Sequence, residues 1–296
     1  MRKILPQAAV LLMTLFFVPQ VTSGYEIRLR AVGAYTASGY REFLVTDLSI
    51  QSLLDKIFGL KYKHAKDWSD LSVDDLSAVL KSAGFLDAVE SRTYKLDVHL
   101  QTPLDVQKLT SEFALYEEDK SRIQRKLLTA WMQNQAVALE HLLPEHVSSQ
   151  IHALSQCEDA NCHNFVARFF SPLTREGYLG PLVEWTRIQA AENPLGPLDS
   201  VIPQYGDRLA IAVRTRSFNP IQGQVLVHSA VFINRDWLVH KGGYVQNFPY
   251  TFVPLHELLK RYTRFFFLHA LYRPRGLIDC GRALGQDAGL SLRKIP

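Results

Sequence analysis

Alternating apolar runs in the last third of the chain constrain the fold more than any other feature. They follow a short helical segment that begins at Cys162 and carries an apolar stripe over residues 165–170. A Gly/Pro-rich connection over residues 194–203 separates the two. The later segments are three strand-like runs, one helix-like run and a last strand-like run: residues 209–213, 225–233, 237–240, 255–262 and 265–272. This order predicts an α+β fold, with a helix packed on an antiparallel sheet.

The stretch before Pro144 has a mixed pattern. Ser72 is the predicted N-cap of a helix that Gly84 ends. Residues 94–100 alternate apolar and polar side chains, as in a strand, and residues 105–143 have the longest helical periodicity, which Pro144 ends. We therefore predict a mixed, mainly helical accessory region here, and we find no residues in it that suggest chemistry.

The N-terminus has the order of a secretory signal. Arg2 and Lys3 precede an apolar run over residues 8–18, and small residues follow. The run is shorter than the roughly 18 residues that cross a bilayer, so we expect cleavage, export to the periplasm or beyond, and no transmembrane anchor afterwards. The predicted organisation is a signal peptide, an accessory region and a second domain, over residues 1–23, 24–146 and 147–296.

Composition excludes several classes of protein. With 47% apolar and 21% charged residues, the chain is neither a disordered tail nor a multi-pass membrane protein. The net charge is +4 without a basic stripe interleaved with aromatic residues, so nucleic acid is not an expected partner. Three cysteines are too few for a disulfide scaffold.

Three residues carry the chemistry that the sequence suggests. Cys162 follows Asn161 where a helix begins, and the helix dipole with its exposed N–H groups favours a thiolate there. His228 and His240 lie in consecutive strand-like runs joined by a tight reversal at residues 234–236. Counting outward from that reversal brings the two imidazoles near each other across adjacent strands. A thiol with two imidazoles is the group set of a thiol hydrolase.

Four short segments resemble NlpC-type papain-fold cysteine peptidases. Asn-Cys-His-Asn-Phe-Val at 161–166 is similar to the family's nucleophile motif, usually Asp-Cys-Ser-Gly-Phe-Val. Gly-Asp-Arg-Leu at 206–209 is similar to the family's Gly-Asp-Leu strand start. The other two are His-Ser-Ala-Val-Phe-Ile at 228–233, similar to a His-Val-Gly-Ile-Tyr strand, and Val-His at 239–240, similar to the later hydrophobic-His step. The resemblance covers residues 147–272, under half of the chain.

The resemblance implies a papain-like, NlpC-type domain with a Cys-His-His triad. In that triad Cys162 is the nucleophile, His228 the general base and His240 the residue that orients His228. The resemblance also implies hydrolysis of an amide bond, most often in cell-wall peptides such as the γ-D-glutamyl linkage. The implied partner is a peptide or peptidoglycan fragment, and no cofactor is implied.

The chain departs from the family beside the nucleophile. His163 and Asn164 replace the small Ser-Gly pair, which narrows the approach to the thiol. The tyrosine that commonly precedes the family's cysteine is absent from residues 151–161. We expect His163, Asn164 and Trp237 to contact the substrate.

Export makes the odd number of cysteines informative, because an oxidising compartment favours disulfides. One pair and one free thiol is the simplest arrangement, and our hypothesis is that Cys157 pairs with Cys280 and leaves Cys162 free. Three reduced cysteines as small core residues are the alternative. Some relatives with a permuted chain place both histidines before the cysteine, so Cys280 is also the alternative nucleophile, although three glycines make a poor helix behind it.

Two other functions stay open on the sequence alone. The first is zinc binding, for which the possible ligands are Cys157, Cys162, His163, His228 and His240. The second is a non-catalytic, exported binding module that retains a papain-like shell. The crowded surroundings of Cys162 keep this second function open beside the hydrolase.

Overall fold

A computed structural model of the protein describes most of the chain between residues 24 and 274. The described residues are 24–44, 73–82, 89–155, 157, 160–172, 174–181, 183–184, 188, 192–214, 224–242, 248–262 and 267–274. The predicted signal peptide, Ser72 and Cys280 lie outside them. Within the described ranges the chain forms two antiparallel sheets with several helices, which confirms the α+β class. None of the described helices is long and apolar enough to cross a membrane.

The first sheet has four strands in the order β2-β1-β3-β4. Its strands are β1 Glu26–Thr36, β2 Gly39–Leu44, β3 Ser91–His99 and β4 Val137–Ala138. Gly39 begins β2 directly after a tight turn with φ at +134°, a conformation that favours glycine. Sequence analysis predicted β3 alone and missed the rest of this sheet, so the region is less helical than we expected.

The helices of the first half are shorter than the periodicity of residues 105–143 predicts. They are α1 Val73–Ser82, α2 Pro103–Phe113, α3 Glu117–Gln133, a 3-10 turn at Leu139–Leu142 and α4 Glu145–Ser148. The prediction of one long helix is wrong. Asn134 adopts a left-handed conformation (φ 52°) that ends α3, and β4 then pairs with β3.

The second sheet has six strands in the order β5-β10-β6-β7-β8-β9. Its strands are β5 Glu192–Pro197, β6 Arg208–Arg214, β7 Gln224–Phe232, β8 Trp237–Lys241, β9 Tyr250–Pro254 and β10 Phe267–Pro274. The two helices beside it are α5 Cys162–Phe169 and α6 Leu255–Tyr262. The predicted helices and the predicted strands β6, β7, β8 and β10 are confirmed. The predicted connection over residues 194–203 is wrong in its first part, because β5 pairs with β10, and β9 was missed.

The helices α5 and α6 cover opposite faces of the second sheet. Val231 and Val239 share a core with Phe165 of α5, whereas Phe232 and Leu238 share a core with Leu258 of α6. This follows from the two-residue period of a strand, which points neighbouring side chains to opposite faces.

The core on the α5 face extends across the boundary that we predicted at residue 146. It contains Leu96 of β3 together with Phe165 of α5 and Phe252 of β9. The backbone N–H of Tyr94 in β3 also donates to the Thr251 hydroxyl of β9 at 3.1 Å. The two sheets are therefore packed together, and the first half is part of one core with the second.

Candidate active site

Cys162 is the first residue of α5, as the sequence predicts. The Asn161 side chain caps the helix by accepting the backbone N–H of Asn164 at 2.8 Å. The thiol is buried, and backbone N–H groups of Ser229 and His163 face the sulfur. Burial nevertheless raises the pKa of Cys162 to about 11, because desolvation of the thiolate outweighs these donors. At neutral pH the resting group is a thiol.

His228 and His240 contact each other through their rings, as the spacing predicts. Nε2 of His228 and Nδ1 of His240 are 3.0 Å apart, and both side chains are buried. The turn that aligns their strands is fixed by the Asn234 side chain, which accepts the backbone N–H groups of Asp236 and Trp237 at 2.8 and 2.9 Å.

Both imidazoles are neutral at physiological pH. Burial lowers the pKa of His228 to about 3, and the neighbouring His163 and Arg261 act in the same direction. Burial also lowers the pKa of His240 well below its ordinary value. The neighbouring His228 lowers it further and is the second-largest cause. Because one nitrogen of the 3.0 Å contact donates and the other accepts, each ring keeps one protonated and one unprotonated nitrogen.

Cys162 and His228 approach the same cavity from different faces of the sheet. Ser229 of β7 contacts His163 of α5, so its neighbour His228 points to the α6 face. There the His228 ring stacks on Tyr262. Among the described residues the ladder between β7 and β8 has two pairs, Val231–Val239 and Phe232–Leu238, and the histidine contact bridges the strands beyond it.

A cavity of about 380 Å³ opens at this end of the strands. The polar and aromatic side chains that line it are those of Asn161, Cys162, His163, Tyr178, His228 and Tyr262. His240 does not line this cavity and reaches it only through His228. Thus the structure brings the predicted nucleophile and base to one space, with the predicted orienting residue behind the base.

His163 lies in the cavity wall, consistent with the expected contact with substrate. Its Nδ1 is 2.9 Å from the Ser229 hydroxyl, and this contact fixes the ring against β7. Burial lowers the pKa of His163 to about 4, so this imidazole is also neutral.

Asn164 and Trp237 do not line the cavity, in contrast to our expectation that they contact substrate. The Asn164 amide is buried against the following loop, donating to the Arg175 carbonyl and accepting from the Gly177 N–H. Trp237 lies at the far end of β8, edge-on to Tyr94 at 5.6 Å between ring centroids. Both positions are explained by packing. The hydrogen bonds of Asn164 fix the loop at residues 175–177, and the next residue, Tyr178, lines the cavity.

Tyr262 and Lys241 lie near the candidate site but were not predicted from the sequence. Tyr262 stacks on His228 with ring centroids 5.3 Å apart and planes at 27°. Lys241 is fully buried on the α5 face, where its ammonium donates to the Phe248 carbonyl at 3.0 Å and lies over the Tyr250 ring. The helical pattern of residues 255–262 was visible, but no spacing indicates which ring the last residue of α6 covers.

The described cysteines and metal-binding side chains bear on the open alternatives. Among the described residues neither Cys157 nor Cys162 has a disulfide partner. Because Cys280 lies outside the described residues, its pairing with Cys157 and its role as an alternative nucleophile stay predictions. In the described part of the chain no three His, Cys, Asp or Glu side chains are grouped to hold a metal ion.

Comparison with known proteins gives no relative for this chain. No protein-family model, curated protein or solved structure matches it.

Proposed function

We propose that this protein is an exported thiol hydrolase that cleaves an amide bond, in an NlpC-type, papain-like arrangement. The observation that carries the proposal is the shared cavity of Cys162 and His228, with His228 bonded to His240 at 3.0 Å. The substrate class that we propose, peptides and peptidoglycan fragments, rests on the resemblance of residues 161–166 and 228–240. Export places the enzyme where such substrates occur.

The proposed reaction starts from a neutral thiol and a neutral imidazole. The contact between Nε2 of His228 and Nδ1 of His240 is 3.0 Å long. In the tautomer that the reaction requires, His228 donates in this contact, and its Nδ1 is then the nitrogen that takes the thiol proton. The sulfur attacks the amide carbon, the imidazolium returns the proton to the leaving amine, and an acyl-enzyme remains. Water then attacks the acyl carbon as His228 takes its proton, which releases the acid and restores the thiol.

The α5 N-terminus supplies the groups that stabilise the negative oxygen of this reaction. The first N–H groups of a helix lack intrahelical acceptors, and the N–H of Cys162 is one of them. A donor fixed in a buried site contributes more than the same donor in water. The Asn161 cap holds this turn in place.

Peptidoglycan fragments incubated with purified protein test the proposal. Mass analysis is expected to show new peptide ends with the native chain and none with Cys162→Ala, whose fold is unchanged because the group is small. Cys157→Ala is the matched control, since it also removes a thiol of the same segment but lies outside the cavity. Equal product formation by native protein and Cys162→Ala overturns the proposal.

One observation favours a second candidate, a non-catalytic binding module. The Cys162 thiol is buried and its pKa is raised to about 11, unlike a nucleophile preformed as a thiolate. The rate of alkylation by a small electrophile at pH 7 separates the two functions. A rate above that of a model thiol favours the hydrolase, because His228 then assists proton removal, and a rate no faster than the model thiol favours the module.

A further inference from the structure

Helix α6 joins the candidate base to the first half of the molecule. Its last residue, Tyr262, covers the His228 ring and lines the cavity that holds Cys162. One and a half turns earlier, Glu257 points to β3 of the first sheet. The helix has only eight residues, too few to be stable alone in water, so tertiary contacts must fix its position.

Two side chains of β3 hold Glu257. The Tyr94 hydroxyl donates to Oε2 of Glu257 in a short hydrogen bond, and Nη1 of Arg92 lies 3.8 Å from the same oxygen. Arg92 also donates to the Tyr94 hydroxyl at 2.8 Å. Arg92 and Tyr94 are 5% and 1% exposed. Because these groups are desolvated, removing one partner would leave the other buried without a hydrogen bond, at a cost in free energy. The contact therefore fixes the position of Glu257 relative to β3.

The first half reaches His240 as well. A second cavity, of about 120 Å³, is walled by Ser91 and Arg92 of β3, by Arg261 of α6 and by His240. Residues of β3 therefore share a cavity with His240. They reach His228 only indirectly, through Glu257 and Tyr262 of α6.

We propose that Arg92, Tyr94 and Glu257 are positioning residues of the active site, acting through α6 and Tyr262 on His228. The first half is then more than an accessory region, because it forms a part of the catalytic unit that fixes the base. The proposal rests on the proposed function for its catalytic meaning. The placement of His228 is measurable without any turnover.

Titration of the His228 ring by NMR tests the proposal. In the native protein the ring is expected to stay neutral from pH 7.5 to pH 5, because burial under Tyr262 lowers its pKa. Tyr262→Leu, which removes the covering ring, and Glu257→Gln, which removes the carboxylate charge that pairs with Arg92 and so weakens the hold of β3 on α6, are both expected to make the ring titrate in this range. Tyr262→Phe keeps the ring and is expected to behave as the native protein.

Glu145→Gln is the matched control, because it makes the same chemical change on an exposed residue of α4. Near-UV circular dichroism checks that each variant keeps its fold, and Tyr94→Phe repeats the Glu257 test from the β3 side. With a substrate in hand, Tyr262→Leu and Glu257→Gln are expected to lower kcat about tenfold or more with a smaller change in KM.

Two results overturn the proposal. The first is a His228 ring that stays neutral in both Tyr262→Leu and Glu257→Gln. The second is a ring that titrates in Tyr262→Leu but not in Glu257→Gln and Tyr94→Phe, because β3 then has no part in its placement. Either result is independent of hydrolysis, so it is distinguishable from a failure of Cys162→Ala to abolish product formation.

Discussion

The two faces of the second sheet hold different halves of the proposed chemistry. The α5 face holds the buried thiol of Cys162 and the buried ammonium of Lys241, and the α6 face holds the neutral rings of His228 and His240. In the proposed triad the nucleophile comes from one face and both imidazoles come from the other. The two faces meet at the cavity where the ladder between β7 and β8 ends.

On the proposed function, the two faces meet where the described ladder between β7 and β8 ends, and the histidine contact bridges the strands beyond it. Cys162 belongs to the α5 face and His228 to the α6 face, and both line the cavity at this end of the strands. Removing one group at a time from either face tests whether the two faces act together.

Removing the base is expected to have the largest effect. His228→Ala takes away the proton acceptor on the α6 face, and general-base catalysis typically contributes about 10²–10⁴-fold, so turnover should fall by that factor. The rate of product formation by mass analysis measures it. His256→Ala is the control, because it removes an exposed histidine from α6. Turnover within twofold of native in His228→Ala would show that the two faces do not cooperate.

Removing the orienting residue is expected to cost less. His240→Ala leaves His228 in place without the hydrogen-bond partner of its Nε2, so the ring can turn or change tautomer, and turnover should fall by less than in His228→Ala because the proton acceptor is still present. His240→Gln keeps an acceptor oxygen near the same place and is expected to recover part of the loss. An equal loss in His240→Ala and His240→Gln would argue that His240 acts through something other than this hydrogen bond.

Much of the second sheet was predictable because its signals are local. The alternation in β6, β7 and β8 and the Asn234 turn gave both the strands and the approach of the two histidines. Strands β1 and β5 were missed because they pair with β3 and β10, which are distant in sequence, and no local pattern indicates that pairing. The break of the predicted helix over residues 105–143 was missed because no local pattern distinguishes Asn134 from the other polar residues of this segment. Its left-handed backbone conformation is visible only in the structure.

The residues of the candidate site could be predicted from the sequence, but the face of the sheet to which each side chain points could not. Neighbouring side chains in β7 point to opposite faces, but sequence does not say which face α5 covers, so the separation of Cys162 from His228 was not foreseen. Asn164 and Trp237 were expected to contact substrate because they flank chemistry-bearing residues. Sequence proximity does not fix direction, and both side chains are used in packing.

Acid is expected to destabilise both faces together. Buried histidines with lowered pKa values lie on the α5 side, His152 and His163, and on the α6 side, His228 and His240. The unfolded chain takes up protons on these rings below about pH 6.5, whereas the folded chain does so only at lower pH. The free energy of unfolding should therefore be unaffected by them above pH 6.5 and fall below it, by up to about 1.4 kcal/mol per pH unit for each ring.

Urea unfolding at pH 7, 5.5 and 4.5 measures this loss. The double variant His228→Asn and His240→Asn should have a shallower dependence on pH than the native protein, because it removes the two rings of the α6 face. His256→Asn, which changes an exposed ring, should keep the native dependence. A free energy of unfolding that is constant from pH 6.5 to 4.5 contradicts the prediction.

The smallest expected effect distinguishes the faces by charge alone. Lys241 is on the α5 face, and its pKa is lowered to about 8 by burial, against the opposing effects of Cys162 and Glu176. At pH 7 its remaining charge favours the Cys162 thiolate, so Lys241→Met should slow alkylation of Cys162 by about threefold, the factor that about half a pKa unit supplies. Lys260→Met removes an exposed charge from α6 and should leave the rate unchanged.

The pH dependence tests the same effect of charge. Since Lys241 loses its proton as the pH rises through about 8, the rates of alkylation of native protein and Lys241→Met should converge above pH 9. A difference that persists there would mean that Lys241 acts on the thiol by packing and not by charge.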